Sequence, residues 1–214
     1  MIRLVRPPKP DELLKNENNW LTEYSKAASN GSVPDSLARK YSRPSIKEAL
    51  LKATFSKCMY CESKPLATAS CDVEHIKPKS LFPNLIFVWE NLGIVCKACN
   101  TAKSNRHNEQ VPIVNPFEEE PNNFFISVGP YLYALPGNDR AILTADHCKL
   151  NRPELLEKRS EKIRELVTLL DRIARTPSPA REIFQRELEI FIAENSEFSF
   201  FLKGTFEQFS ARIK

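Results

Sequence analysis

Cys58-Met59-Tyr60-Cys61, then Glu74-His75-Ile76-Lys77-Pro78, then Asn91-Leu92-Gly93-Ile94-Val95-Cys96-Lys97-Ala98-Cys99-Asn100-Thr101-Ala102-Lys103: the reading of these residues decides the fold. Two Cys-x-x-Cys pairs bracket a carboxylate beside a histidine, and two asparagines follow. The two-residue spacing lets each pair chelate from one turn, so Cys58, Cys61, Cys96 and Cys99 can close a tetrahedral shell round Zn2+. A shell of four sulfurs leaves no open position, which makes the expected zinc structural. The 34 residues between Cys61 and Cys96 exceed the usual ribbon spacing, and Glu74 and His75 lie in that extra length. Cys71 and Cys148 have no such companions and read as small core residues.

The rest of the composition bounds the reading. A chain of 214 residues, 42% hydrophobic and 27% charged, has room for a small core with helical additions and is not disordered. No apolar run approaches the roughly 20 residues needed to span a bilayer. The first eleven residues hold basic groups and prolines but no apolar signal core, so a cytoplasmic protein with no membrane partner is expected. In a reducing compartment, paired cysteines point to metal rather than disulfides. Residues 1–57 hold 11 Lys and Arg against 6 Asp and Glu, whereas residues 151–214 hold 12 against 11. This excess suits an N-terminal segment lying along a phosphate backbone, and it suits a solvated basic face equally well.

The expected fold class is α+β: a small ββα core with the four-cysteine site, flanked by N-terminal helices and a C-terminal helical region. Four segments follow: 1–57, 58–110, 111–150 and 151–214. Pro7, Pro8 and Pro10 keep the start extended. Leu14, Leu21, Tyr24 and Ala28 recur at helical spacing from Asp11 to Asn30. Residues 32–44 read as a polar loop. Ser45 and Glu48 have the form of a capping box, starting a helix that runs to Ser56. Ser70 to Ile76 reads as a strand with Asp72 and Glu74 on one face and Cys71, Val73 and His75 on the other. A loop follows to Val88, a return strand from Trp89 to Val95, and a helix from Lys97 to about Asn105. Gly129-Pro130 joins a hairpin. Apolar spacing then marks a helix from Pro153 to about Arg175. Beyond Pro177-Ser178-Pro179 it marks two more, carrying Phe184, Leu188, Phe191 and Ile192, then Phe198, Phe201, Leu202, Phe206, Phe209 and Ile213. Phe200 falls off the last face and reads as a leftover aromatic anchor for a protein interface.

The residues between the cysteine pairs fit phosphodiester hydrolysis. Histidine suits the base that activates water near neutral pH. A hard divalent cation wants oxygen ligands, which Glu74 and the Asn100 side-chain carbonyl can provide. Neighbouring strand residues point to opposite faces, so Glu74 and His75 share a site only if the strand twists or ends there. A zinc ribbon that merely binds nucleic acid or protein would use the same cysteines, but it has no need of Glu74, His75, Asn91, Asn100 and Lys103.

Cys-x-x-Cys, Glu-His-Ile-x-Pro-x-Ser and Asn-Leu-x-x-x-Cys-x-x-Cys-Asn-x-x-Lys together resemble the HNH endonucleases of the ββα-metal fold. The resemblance implies His75 as general base, Glu74 and Asn100 as ligands of a catalytic Mg2+ or Mn2+, and Asn91 as a clamp on the loop. It sets Lys103 one turn after Asn100, facing the scissile phosphate. Glu74 stands where the family commonly has Asp. Val114-Asn115-Pro116-Phe117-Glu118-Glu119-Glu120-Pro121, with Leu150-Asn151-Arg152-Pro153-Glu154-Leu155 and Arg159, is similar to the PtuB-type HNH proteins of bacterial Septu and retron-associated anti-phage systems. That implies a nucleic-acid substrate, DNA or RNA, and an ABC-type ATPase partner; the phenylalanine-rich helices within residues 151–214, with the basic N-terminal segment beside them, are the expected dock. His107 falls seven residues after Asn100 and would share its face in a longer helix. His147 reads as structural, and Asp72 as a solvated strand residue.

Overall fold

Pro7, Pro8 and Pro10 do hold the first ten residues extended, and this strap is tied down across the core. Leu4 N–H donates to the Pro116 carbonyl at 2.8 Å. Arg6 donates through Nη1 to the carbonyls of Trp89 and Leu92 at 2.8 and 2.9 Å, and its guanidinium lies 3.9 Å from the Phe117 ring centroid. These contacts belong to a computed structural model that describes residues 1–64, 71–177 and 179–211. Ser70, Ser178 and Ile213, used in the expectations above, lie outside the described residues.

Helix α1, Asp11–Ser29, buries Leu13 and Trp20, while Leu14 is 60% exposed. Leu21 and Tyr24 pack against the core as expected, but Leu13 takes the inner place expected of Leu14, because both are apolar and only packing chooses between them. The expected loop 32–44 instead holds helix α2, Asp35–Ala38, with Leu37 buried, and a 3-10 turn, Lys40–Ser42. Helix α3, Pro44–Ala53, has no capping box. Pro44 takes the first helical position, so Ser45 lies inside the helix and its hydroxyl donates to Glu12. Arg43 pairs with the same carboxylate and so ties α3 to α1. The helix stops three residues before Ser56. Phe55 and Ser56 turn left-handed (φ 53° and 57°), with Ser56 N–H returning to the Leu51 carbonyl and Phe55 N–H to Lys52.

Strands β1, Asp72–His75, and β2, Leu92–Val95, pair antiparallel with Glu74 opposite Gly93 and His75 opposite Leu92. Trp89–Asn91, expected as strand, is a 3-10 turn that leads into β2. Gly93 allows a close approach, since a Cβ there would meet Met59 Sδ at 2.2 Å. Helix α4, Lys97–Lys103, completes the ββα unit and ends where Ser104 turns left-handed at φ 48°. Strands β3, Phe125–Val128, and β4, Tyr131–Ala134, form the expected hairpin. Helix α5, Asp139–His147, was not expected, although Asn138 caps it by accepting from Ala141 N–H at 3.0 Å. Helices α6, Pro153–Arg175, α7, Arg181–Phe191, and α8, Ser199–Ser210, follow.

The flanking motifs are architectural. Asn151 exchanges two hydrogen bonds with the Leu132 backbone at 2.8 and 2.9 Å, which fastens the hairpin to the start of α6. Buried Arg159 donates to the Leu150 carbonyl at 2.8 Å and lies 3.9 Å from the Phe201 centroid. Glu119 and Arg140 form a two-pronged pair at 2.7 and 2.8 Å that gathers the connector beside α5. Phe200 is no interface anchor. It is 7% exposed in the same apolar cluster as Phe198 and Phe201, because α8 is packed between β3 and α6 and buries more than one face.

Part of the N-terminal charge is taken up in ion pairs. Lys9, Lys40, Arg43 and Lys57 pair with Glu17, Glu23, Glu12 and Glu62, while Arg3, Lys15, Lys26 and Lys52 are exposed. The Glu62 pair is fully buried. Glu62 Oε1 meets the Met1 ammonium at 2.7 Å, and Oε2 meets Lys57 Nζ at 3.2 Å and the Ser199 hydroxyl at 2.7 Å. Lys57 also donates to the carbonyls of Glu194 and Ser196. Burial alone would raise the Glu62 carboxyl, but the two cations outweigh it and hold it at about 2. Glu62→Gln should therefore cost about 3–5 kcal/mol in urea unfolding, because it strands buried cations. Ser199→Ala should cost only about 1–2 kcal/mol. Equal losses from the two variants would contradict this account.

Candidate active site

The two cysteine pairs are brought together by separate elements. The first pair sits on a tight turn in which Glu62 N–H donates to the Cys58 carbonyl, and Met59 N–H hooks the turn to Ile94 of β2 at 2.9 Å. The second pair brackets the start of α4. All four Sγ atoms lie within 4.8 Å of one another, and none is in a disulfide. The Cys61 and Cys96 sulfurs are 3.8 Å apart. A tetrahedron with arms of about 2.3 Å has edges of about 3.8 Å, so the cluster fits a four-sulfur metal site. Arg152 adds positive charge, with guanidinium nitrogens 3.4, 3.7 and 3.9 Å from Cys99, Cys96 and Cys61. Burial works against the Arg152 charge, but the sulfurs more than offset it and raise its pKa. Cys71 and Cys148 lie outside the cluster as buried thiols, with Cys71 pushed up to about 12 by burial.

Strand parity separates the central residues as expected, and β1 ends at His75. Asp72 and Glu74 face α4. The Asn100 amide donates to Asp72 Oδ2 at 3.1 Å, and Lys103 Nζ reaches Glu74 Oε1 at 2.5 Å and the His75 carbonyl at 2.9 Å. Burial raises the Glu74 carboxyl despite the Lys103 ammonium beside it. The His75 ring lies on the opposite side. Its Nε2 is 2.9 Å from the Ile86 carbonyl, and the Tyr41 ring stands edge-on with centroids 4.4 Å apart. A carbonyl only accepts, so Nε2 carries the proton and Nδ1 keeps its lone pair. Burial lowers the imidazole to about 4, which leaves it neutral at pH 7.

Asn91 is buried and clamps the loop at both ends. Its Oδ1 accepts from Lys77 N–H at 2.8 Å, while Nδ2 donates to the carbonyls of Lys77 and Leu85 at 3.0 and 3.2 Å. Lys103 does not face outward as expected. It is wholly buried, because a position three residues after Asn100 turns towards β1 in this short helix. Asp72 is half-buried and orients Asn100 rather than being solvated. By directing the amide nitrogen to Asp72, this bond leaves the Asn100 carbonyl oxygen free. Asp72, Glu74 and Asn100 are the oxygen-bearing side chains on this face, the type of donor a hard divalent cation takes, and Glu74 is held there by Lys103. His107 lies beyond the end of α4, with its ring edge-on to Phe82 at 4.8 Å, and burial lowers its pKa. His147 ends α5, half-buried, and burial lowers it also. Tyr41, the Ile86 carbonyl and Arg152 had no local signal in the sequence, since each acts across a long chain separation.

The comparisons with known proteins agree with this geometry. Residues 58–106 match the family model for HNH endonucleases, so the core of this chain is an HNH endonuclease domain. The chain is 34% identical to the Septu protein PtuB of Bacillus thuringiensis over 73% of its own length and 57% of that protein. It is 27% identical to the Septu protein PtuB of Bacillus mycoides strain KBAB4, over 59% of this chain and 53% of that one. The chain thus spans little more than half the length of these relatives. No helix among the described residues is long and apolar enough to cross a membrane.

His75 carries a stability consequence. Its folded value of about 4 lies below the ordinary 6.5, so its contribution is complete above pH 6.5 and is lost as pH falls towards 4. The full loss is about 3 kcal/mol. Urea unfolding at pH 7.5 and pH 4.5 should show His75→Gln losing less stability on acidification than the parent. Identical losses would mean that His75 is readily protonated in the folded protein.

Proposed function

We propose that this chain is a metal-dependent endonuclease that hydrolyses phosphodiester bonds of nucleic acid. The observation that supports it most is the end of β1, where a neutral, Nε2-anchored His75 lies across the strand from Asp72, Glu74 and Asn100. In-line displacement at phosphorus sets the attacking water and the leaving oxygen on opposite sides, which suits a base and an oxygen-donor set separated in this way. His75 Nδ1 takes the proton from the attacking water, with the Ile86 carbonyl holding the ring in that tautomer. Glu74 and Asn100, with Asp72 beside them, would hold Mg2+ or Mn2+, which supplies stabilisation of charge on the phosphoryl group and leaving oxygen when bound. Asn91 keeps the loop carrying Ile86 closed. Lys103 neutralises part of the charge on Glu74 and ties that face to the His75 backbone.

Zn2+ is the ion proposed for the four cysteines, in a structural role. The relatives are Septu proteins, and the same setting is proposed here: the nuclease component of a cytoplasmic anti-phage system, acting with an ABC-type ATPase. With Phe200 buried, that partnership rests on the resemblance alone.

Two measurements test the reading. Purified protein given Mg2+ or Mn2+ should cut plasmid or structured RNA, and His75→Ala should slow cleavage about 10²- to 10⁴-fold with folding intact. Near-parental cleavage by His75→Ala would move the base elsewhere. Metal analysis should find one zinc per chain, lost with the fold in Cys96→Ser. Folded protein without zinc would sink the structural assignment.

A further inference from the structure

The outer side of α4 forms one wall of a groove of about 610 Å³ whose lining includes Lys97, Ala98, Thr101, Arg106, Lys149 and Arg152. Lys97, Arg106 and Lys149 are exposed, and the floor between them is made of small side chains that let a ligand backbone come close. Arg152 is already committed to the cysteine sulfurs, so the other three cations are those available to a ligand. The acids beside them are Asp146, 3.8 Å from Arg106, and Glu154, 4.0 Å from Arg152. Both are 76% exposed and weakly placed to cancel the field. Lys149 is delivered by a left-handed turn (φ 46°) at the end of α5, a position that glycine fills more easily.

The same short helix carries both the groove and the candidate site. Asn100 and Lys103 turn towards β1, while Lys97, Ala98 and Thr101 turn outward. Seven residues at about 1.5 Å each give α4 a length of about 10 Å. That length is enough to lie beside a short stretch of one strand's backbone. We propose that this groove binds a flanking stretch of the sugar-phosphate backbone of the nucleic-acid substrate, across α4 from the candidate site, an assignment that rests on the endonuclease reading. Three exposed cations over a small-residue floor, only Arg106 having an acid near it, fit a polyanion and give no base-edge readout. Binding here is therefore independent of sequence and sensitive to salt.

The test uses full-length protein carrying His75→Ala, so that substrate is held uncut. Fluorescence anisotropy with labelled single- and double-stranded oligonucleotides is measured over a salt series. Adding Lys97→Ala, Arg106→Ala and Lys149→Gly should weaken binding at least about tenfold at low salt. The slope of log affinity against log salt should shrink by about 2 to 3, at about 0.7 to 0.9 per phosphate contact. Lys149→Gly suits the left-handed turn, and an unchanged circular dichroism spectrum and metal content would exclude misfolding. Lys15→Ala with Lys26→Ala, on exposed α1 positions, should leave affinity and slope unchanged. A triple variant with parental affinity and slope overturns the groove, while cleavage by the protein with His75 restored would leave the endonuclease reading intact. Absence of both binding and cleavage in the unsubstituted protein overturns the two together.

Discussion

The peptide joining Cys61 to Glu62 carries two demands at once. Cys61 turns its sulfur into the four-cysteine cluster, and Glu62, the next residue, turns its carboxylate into a buried cage of cations and hydroxyl. Consecutive side chains reach these two interiors because Glu62 is left-handed, at φ 63°. A non-glycine residue in that region costs about 1–2 kcal/mol, which the buried ion pairs of Glu62 must offset. Through this one peptide the cluster that fixes β2 and α4 is joined to Lys57 on one side and to α8 on the other. The C-terminal helices are thereby part of the support of the catalytic core rather than an appendage to it.

Within that support, the chemistry depends on the parity of a four-residue strand. Alternation sends Asp72 and Glu74 to α4 and His75 away from it. β1 ends at His75, so the imidazole lies at the strand's end rather than within the ladder. The backbone takes part on both sides: the Ile86 carbonyl selects the tautomer of the His75 imidazole, and the His75 carbonyl accepts from Lys103. A slip of one residue in the pairing of β1 with β2 would exchange the faces and bring the imidazole against α4. Asn91, by closing the loop between the strands, and Gly93, by letting Met59 cross β2, both guard that register.

What the sequence disclosed and what it concealed divide along the range of the interactions. Cysteine spacing, strand alternation and the Asn91 clamp are local patterns or follow from family likeness, and they correspond to the geometry found. The capping box failed because Pro44 claimed the helix start before Ser45 could cap it. On α1, Leu14 was placed inside in the stead of Leu13 because the two differ only in what they meet, while Leu21 and Tyr24 do face the core. Phe200 looked superfluous because periodicity assumes one buried face, whereas α8 has neighbours on two sides. Lys103 appeared to point at substrate because spacing along a helix does not say which side faces the sheet. Tyr41 over His75, and Arg152 beside the sulfurs, have no pattern at all within a dozen residues of the groups they touch.

The cysteine cluster also sets how the chain between its two halves can vary. It fastens both ends of a 34-residue segment, Glu62 to Val95, into a closed loop. The entropy of closing such a loop grows only with the logarithm of its length, about 0.6 kcal/mol for each doubling. Insertions between β1 and β2 are therefore thermodynamically inexpensive so long as the register and the Asn91 clamp are kept. Length in this region becomes a variable that natural selection can change almost freely, altering how far the loop projects without unfastening β1, β2 and α4 from one another.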